Sequence, residues 1–351
     1  MGAVTAGQDS AGAPMGARPV GILGAVSRRY VVYGAGAIGG VIAAQLHRAG
    51  LEVAVIARGE HLAAIRRDGL TLRTPEGAHA LRVEAAAAPV EIRWRDDDIV
   101  LLAMKSQDTE AALAELAAVA PQSVVVVCAQ NGVANERAAL RRFENTLGMC
   151  VICPASHLAP GIVEAESLPC PGILDVGRYP EGVASAAEEV AGAMTAAAFS
   201  SRAVPDVMRW KYAKLLVNLG NAVEAVCGTE GRGGELARLV HGEGVGVLDA
   251  AGIAHVSAEE DATRRDGLLS LRPVEGRIRG GGSSWQSLTR GAGSIEADYL
   301  NGEIVLLGRL HGLATPANAT LQRIANRMAR DRVPPGAVTE EEVLAAVTRS
   351  G

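Results

Sequence analysis

The sequence predicts an α/β protein in two parts: a doubly wound, mostly parallel sheet with helices on both faces, followed by a mostly helical domain. Three observations carry this. Short β-rich runs alternate with helical runs from Arg28 onward, a glycine triplet joins the first strand to the first helix, and after Asp206 the β character almost vanishes. At 351 residues and 48% hydrophobic content the chain can bury a large core, and a prior of roughly 150 residues per domain gives two domains. The expected division is a disordered tail over 1–27, rich in Gly, Ala and Ser, a sheet domain over 28–205 and a helical domain over 206–351.

The first strand is expected at residues 30–33, and a helical run and a second strand at 53–57 follow it. Between 70 and 90, "LTLRTPEGAHALRV" alternates around a Pro-Glu-Gly turn, which predicts a hairpin inserted in the sheet domain. Further strands are expected at 99–103 and 124–129, in "MCVICPASHL" and "GILDVGR", and a short one in "SSRAVPD". Helical periodicity then predicts helices over 207–226, 234–250, 294–310, 316–330 and 340–348, with a Gly-rich break at "RIRGGGSS". The helices over 294–310 and 316–330 could equally be core or the face of a homodimer.

The glycine triplet is Gly34, Gly36 and Gly39, with Ala37 and Ile38 between, in "GAGAIGG". Strand before and helix after make it a Rossmann-type dinucleotide loop. Gly34 permits the tight turn, Gly36 lets the backbone approach a pyrophosphate, and Gly39 lets helix and strand pack closely. Where many such units end the second strand on an acid that binds the ribose hydroxyls, this one ends on Arg58. A guanidinium there suits a 2′-phosphate, so NADP(H) is the expected cofactor.

Composition excludes several classes. A net charge of −5 gives no long-range attraction for nucleic acid or an anionic membrane surface. No apolar run approaches the ~18 residues that span a bilayer. The five cysteines, an odd number, read as free thiols in the reducing cytoplasm. Cys150 and Cys153 form C-V-I-C without a second ligand pair, and the seven histidines are scattered, so no metal site is expected.

Two more strand ends should face the same crevice: Lys105 follows "LLAM", and Asn131 follows "CAQ". In "RWKYAKLLVNLGNAVEAVCG", Lys214, Asn218 and Asn221 fall on one helix face, and Leu215, Leu216, Leu219 and Val223 on the other. A polar stripe of amides is expected as a cleft wall, with Lys211 the rival of Lys214. Near the end Ser283 and Ser284 follow the Gly-rich loop, and Glu296 begins the next helix with Asp298 pointing elsewhere.

From about Arg29 to Asp331 the chain resembles the ketopantoate reductase (2-dehydropantoate 2-reductase) family. The ordered motifs "GAGAIGG" with "ARG", "LLAMKSQD", "QNG", "WKYAKLLVN" and "SSWQSL…EADYLNG" carry the resemblance. It implies a Rossmann-type domain followed by a helical domain like that of 6-phosphogluconate dehydrogenase, with the active site between them. It implies NADPH-dependent reduction of a small 2-oxo acid, ketopantoate, to a 2-hydroxy acid in pantothenate biosynthesis. Lys214 would be the general acid, Glu296 its support, Asn218 and Ser284 substrate contacts, and Lys105 and Asn131 the lining of the nicotinamide end.

Two departures bear on the substrate. Ala222 replaces the second Asn common in the family, with Asn221 one place earlier as a substrate-contact candidate. "SSWQSL" replaces "S-S-M-x-Q-D", which brings bulky Trp285. The alternatives are a related reductase acting on another 2-oxo acid or ketone, and a protein that senses NADP(H) without turnover.

Overall fold

A computed structural model describes residues 1–2 and 28–349; the tail expected over 1–27 lies almost wholly outside the described residues. The chain begins β1 (Tyr30–Tyr33), α1 (Ala37–Arg48), β2 (Val53–Ile56) and α2 (Gly59–Asp68). There follow β3 (Leu70–Thr74), β4 (Gly77–Leu81), β5 (Glu84–Ala86), β6 (Ile99–Leu102), α3 (Thr109–Ala117), β7 (Val125–Cys128), α4 (Asn135–Leu140) and β8 (Thr146–Ile152). Next come β9 (Ala155–Ala159), β10 (Ile162–Ala165), β11 (Ser167–Pro169), β12 (Ile173–Arg178) and α5 (Ser185–Ala196).

The main sheet runs β12-β8-β7-β6-β1-β2-β5, parallel throughout except for the antiparallel β12–β8 pair. Its central strands are buried on both faces, which is why they read as unbroken Val, Ile and Leu runs rather than alternating ones. The order in which strands are laid down switches sides between the parallel strands β1 and β6, so their carboxyl ends open a crevice, the usual ligand position in such sheets. Gly34, Arg58, Lys105 and Asn131 all follow strand ends at that edge.

The hairpin β3–β4 forms as expected, but in a separate four-stranded sheet, β4-β3-β10-β9. This sheet covers α1 on the side away from the main sheet. The packing is close: a Cβ on Gly40 would lie 2.6 Å from Val163 of β10. The short strand expected in "SSRAVPD" is reduced to isolated bridges at Ser200 and Ala203.

The helical part comprises α6 (Val207–Asn218), α7 (Gly220–Cys227), α8 (Glu235–Ala250), α9 (Ala258–Arg265), α10 (Ser283–Thr289), α11 (Asn301–His311), α12 (Pro316–Arg330) and α13 (Glu340–Thr348), with β13 (Leu269–Leu271) among them. The helix expected over 207–226 is two helices meeting at Leu219. The one expected over 294–310 opens as a 3₁₀ turn, Glu296–Tyr299, and turns α-helical only after Leu300 leaves helical backbone geometry. The loss of β character is also incomplete, since β13 pairs antiparallel with β11. Leu215, Leu219, Val223, Ile304 and Leu321 sit in one core, which places α11 and α12 inside the domain along one face of each. No helix among the described residues is long and apolar enough to cross a membrane.

Candidate active site between the sheet and the helices

A cleft of about 1070 Å³ lies between the strand ends and the helical part. The glycine loop forms one end. Gly34 has φ +100°, and a Cβ there would lie 2.6 Å from Met104 N; a Cβ on Gly39 would lie 2.1 Å from Gly34 O. Gly36 has no atom within 4 Å of where its Cβ would be, so space is left open above the first turn of α1. Turn, close approach and open space fit a pyrophosphate held by the helix N-terminus. Ala37, Ile38 and Arg58 line the same end. Arg58 is exposed at the start of α2 beside Tyr33, whose hydroxyl donates to Glu115 (2.6 Å). Burial, then Glu115, push Tyr33 up to about 12, and neighbouring Arg58 opposes them.

The other end gathers the remaining candidates. Lys105, Asn131, Lys214, Asn218, Asn221 and Glu296 all line the cleft. Asn218 Nδ2 donates to Asn131 Oδ1 (3.1 Å), and Asn221 Nδ2 donates to Asn218 Oδ1 (3.3 Å). Arg232 completes the row with bonds to Asn221 Oδ1 (3.1 Å) and Glu224 (2.7 Å). Ala222 is instead buried in the helical core, so Asn221 is the amide that reaches the cleft.

The expected pairing of Glu296 with Lys214 is not made. Glu296 accepts from Lys105 Nζ (2.6 Å), Ser106 N (3.1 Å) and Ser106 Oγ (3.2 Å), which ties the helical part to the loop after β6. Lys214 Nζ has no hydrogen bond or ion pair with any described residue. Burial, with Arg265 adding like-charge repulsion, lowers Lys214 to about 8. Its rival Lys211 is 3% exposed and fully engaged, with Glu136 (2.6 Å), Gln130 O (2.9 Å) and Met149 O (3.2 Å), and is not part of the cleft wall. Lys211 therefore pins α6 to the sheet, and Lys214 is the available ammonium.

The serine position also differs. Ser283 lines the cleft and its Oγ is buried without a partner, whereas Ser284 is 3% exposed and off the cleft wall. A sequence signal was present: in "S-S-M-x-Q-D" the Gln lies three residues after the second Ser, and Gln286 lies three after Ser283. Trp285 is not on the cleft wall; its ring packs against Gly280 and Gly281, which are.

Electrostatically the site is poised for an anion. The three buried carboxylates in its wall are each neutralised: Glu166 by Arg279 (2.7 Å), Glu224 by Arg232 (2.7 Å) and Glu296 by Lys105 (2.6 Å). Lys214 adds positive charge with no acid partner among the described residues. Cys150 and Cys153 stay thiols, pushed up by burial to about 11 and about 12, and the five cysteines are free. Among the described residues no group of three His, Cys, Asp or Glu could hold a metal.

Residues that sequence reading did not single out include Arg232, Glu224, Ser106, Arg279, Arg290, His61 and His157, all on or bordering the cleft. Their roles come from contacts across the chain, which no local pattern encodes.

Comparison with known proteins agrees with the two-part architecture. Residues 30–181 match the family described as ketopantoate reductase PanE/ApbA, and residues 206–329 match its C-terminal part. The 2-dehydropantoate 2-reductase of Archaeoglobus fulgidus is 30% identical over 303 residues, 84% of this chain and 95% of that one. The one from Pyrococcus horikoshii is 28% identical over 299 residues, 83% and 94% of the two chains. Among solved structures, the PanE/ApbA family ketopantoate reductase from Ralstonia eutropha JMP134 superimposes with a TM-score of 0.71 at 28% identity, covering 87% of this chain and 99% of that one. D-mandelate dehydrogenase with NADH and anilino(oxo)acetate shares the fold, with a TM-score of 0.72 at 21% identity and the same coverage, 87% and 99%. With both family regions matched in order and the glycine loop facing the Lys214 helix across one cleft, the chain belongs to the ketopantoate reductase family of oxidoreductases.

Proposed function

We propose that the chain reduces ketopantoate to pantoate with NADPH, a step of pantothenate biosynthesis. The observation that carries this reading is the Lys214 ammonium, without a partner among the described residues, in a cleft whose buried acids are each neutralised, beside a row of amides. The reduced nicotinamide supplies a hydride to the ketone carbon when bound. Lys214 holds the oxygen on which negative charge develops and gives it a proton, so one hydride and one proton turn C=O into CH–OH. Asn131, Asn218, Asn221 and Ser283 orient the substrate's carboxylate and hydroxyl, with Ser283 in the place expected for Ser284. Glu296 positions Lys105 and the loop after β6 rather than Lys214 itself. Arg58 favours the 2′-phosphate of NADP(H) over a free ribose hydroxyl.

A related reductase acting on a bulkier 2-oxo acid is the second reading. Val217, Leu271 and Ile278 line the cleft and are 50%, 62% and 83% exposed, an apolar rim that ketopantoate does not need. A panel of ketopantoate and 2-oxo acids with longer apolar substituents, followed by nicotinamide absorbance, decides between them. The highest kcat/KM for ketopantoate supports the first reading and a clear preference for a bulkier acid the second. NADPH binding with no turnover of any member would leave a sensor.

The depressed pKa of Lys214 sets a pH dependence. The ammonium is the donor, so it is present below about 8 and lost as pH rises through that value. The kcat/KM for reduction should therefore fall above about 8, and kcat/KM for oxidation of the hydroxy acid, which needs the free amine, should rise over the same range. A reduction profile flat from neutrality to well above 8 would remove Lys214 from the acid role.

A further inference from the structure

Arg290 closes α10 in the helical part, yet its side chain lies on the wall of the cleft. Its Nη1 donates to the carbonyl of His157 in β9 (2.8 Å). The His157 ring lies 4.2 Å, centroid to centroid, from that of His61. His61 is fixed in turn: the Gly161 N–H donates to its Nδ1 (2.8 Å), so its proton sits on Nε2 and is donated to Ala35 O, inside the Gly34–Gly36 turn (2.7 Å). A continuous row of contacts thus leads from Arg290 to the glycine loop. Gln286, one turn before Arg290, bonds to Ala155 O and Ser156, which seats α10 against β9 and fixes where the arginine projects.

Arg58, Arg272 and Arg290 line the cleft without an ion pair to any described residue, and of these Arg290 is the one joined to the glycine loop through His157 and His61. Burial, then His61, then Arg290 push His157 down to about 4, and burial lowers His61, so both imidazoles are neutral near pH 7. Arg232, Arg265 and Arg279, on the same part of the chain, are each held by an acid, Glu224, Asp261 and Glu166. Among the described residues Arg290, which is exposed, bonds only the His157 carbonyl and has no carboxylate partner. A guanidinium without an acid partner among the described residues, on the wall of the cleft that ends at the glycine loop and the start of α1, is free to pair with an anion bound there.

We propose that Arg290 is a ligand of the cofactor's diphosphate, reaching it from the helical part while the start of α1 holds it from the sheet. The inference rests on the dinucleotide reading of the cleft. It assigns cofactor recognition to both parts of the chain and separates two arginines by role: Arg58 reads the 2′-phosphate, Arg290 the diphosphate common to NADPH and NADH.

Calorimetric titration of wild type, Arg290→Ala and Arg290→Lys with NADPH, NADH and adenosine 2′-monophosphate tests this. Arg290→Ala should raise Kd for both dinucleotides by the same factor, about tenfold or more, with Arg290→Lys between it and wild type. Adenosine 2′-monophosphate, which lacks the diphosphate, should bind as tightly as to wild type, which also reports an intact fold. Unchanged dinucleotide affinity in Arg290→Ala, or an equal loss for adenosine 2′-monophosphate, would overturn the proposal. Failure of the wild type to bind either dinucleotide would overturn the cofactor reading together with it.

Discussion

Replacing Lys214 by Ala should lower kcat for 2-oxo acid reduction by about 10³-fold while NADPH affinity stays at the wild-type value. The two effects separate because Lys214 sits on α6, among Asn218, Asn221 and Arg265, whereas the dinucleotide loop is built by β1, α1 and Arg58. The lysine makes no hydrogen bond to a described residue, so its removal strands no partner. Burial already disfavours its charged form, so the variant should be no less stable to denaturant than wild type. Lys211→Ala should behave in the opposite way. It leaves Glu136, 0% exposed, without its cation, and a buried charge stripped of its partner costs about 3–5 kcal/mol, so stability falls whatever happens to turnover. A loss in Lys214→Ala of only a few-fold in kcat would transfer the acid role elsewhere.

Replacing Arg58 by Asp should raise Kd for NADPH by about 100-fold and change that for NADH by far less. Arg58 follows β2 at the carboxyl edge of the sheet and is exposed, with Tyr33 beside it. A carboxylate there repels the 2′-phosphate and can accept bonds from unmodified ribose hydroxyls, so both terms move preference the same way. Titration of both dinucleotides measures the ratio. Equal losses for both would make Arg58 a solvated loop residue.

Much of the scaffold was legible because local chemistry marks it. Pro316 opens α12 and the Thr339–Glu342 capping box opens α13, and both helices span the residues expected of them. The three glycines identify the loop because each meets a separate steric demand. α9 went unnoticed although Ser257 and Glu260 form a capping box, since its "AEEDATRR" run buries no residue and has no apolar stripe to read. α10, with two serines and a tryptophan in its first turn, is short and set by packing against α7 and by hydrogen bonds to β9.

The site was legible as a set of residues and not as a set of pairs. Lys105 and Glu296 are 191 positions apart, and nothing local shows that the loop after β6, rather than Lys214, holds that carboxylate. The hairpin was visible from its turn, but its sheet partner β10 lies some way downstream and gave no sign of the pairing. Ala222 and Trp285 looked like changes to the pocket because a sequence does not say which way a side chain faces. Neither lines the cleft.

The most direct test is the stoichiometry of the reaction itself. Purified protein is incubated with NADPH and ketopantoate, and pantoate formed is measured against NADPH consumed. The expected result is one pantoate for each NADPH oxidised, with Lys214→Ala binding NADPH and forming almost none. NADPH that binds to the wild type but is not consumed with ketopantoate, or is consumed without pantoate appearing, would contradict it.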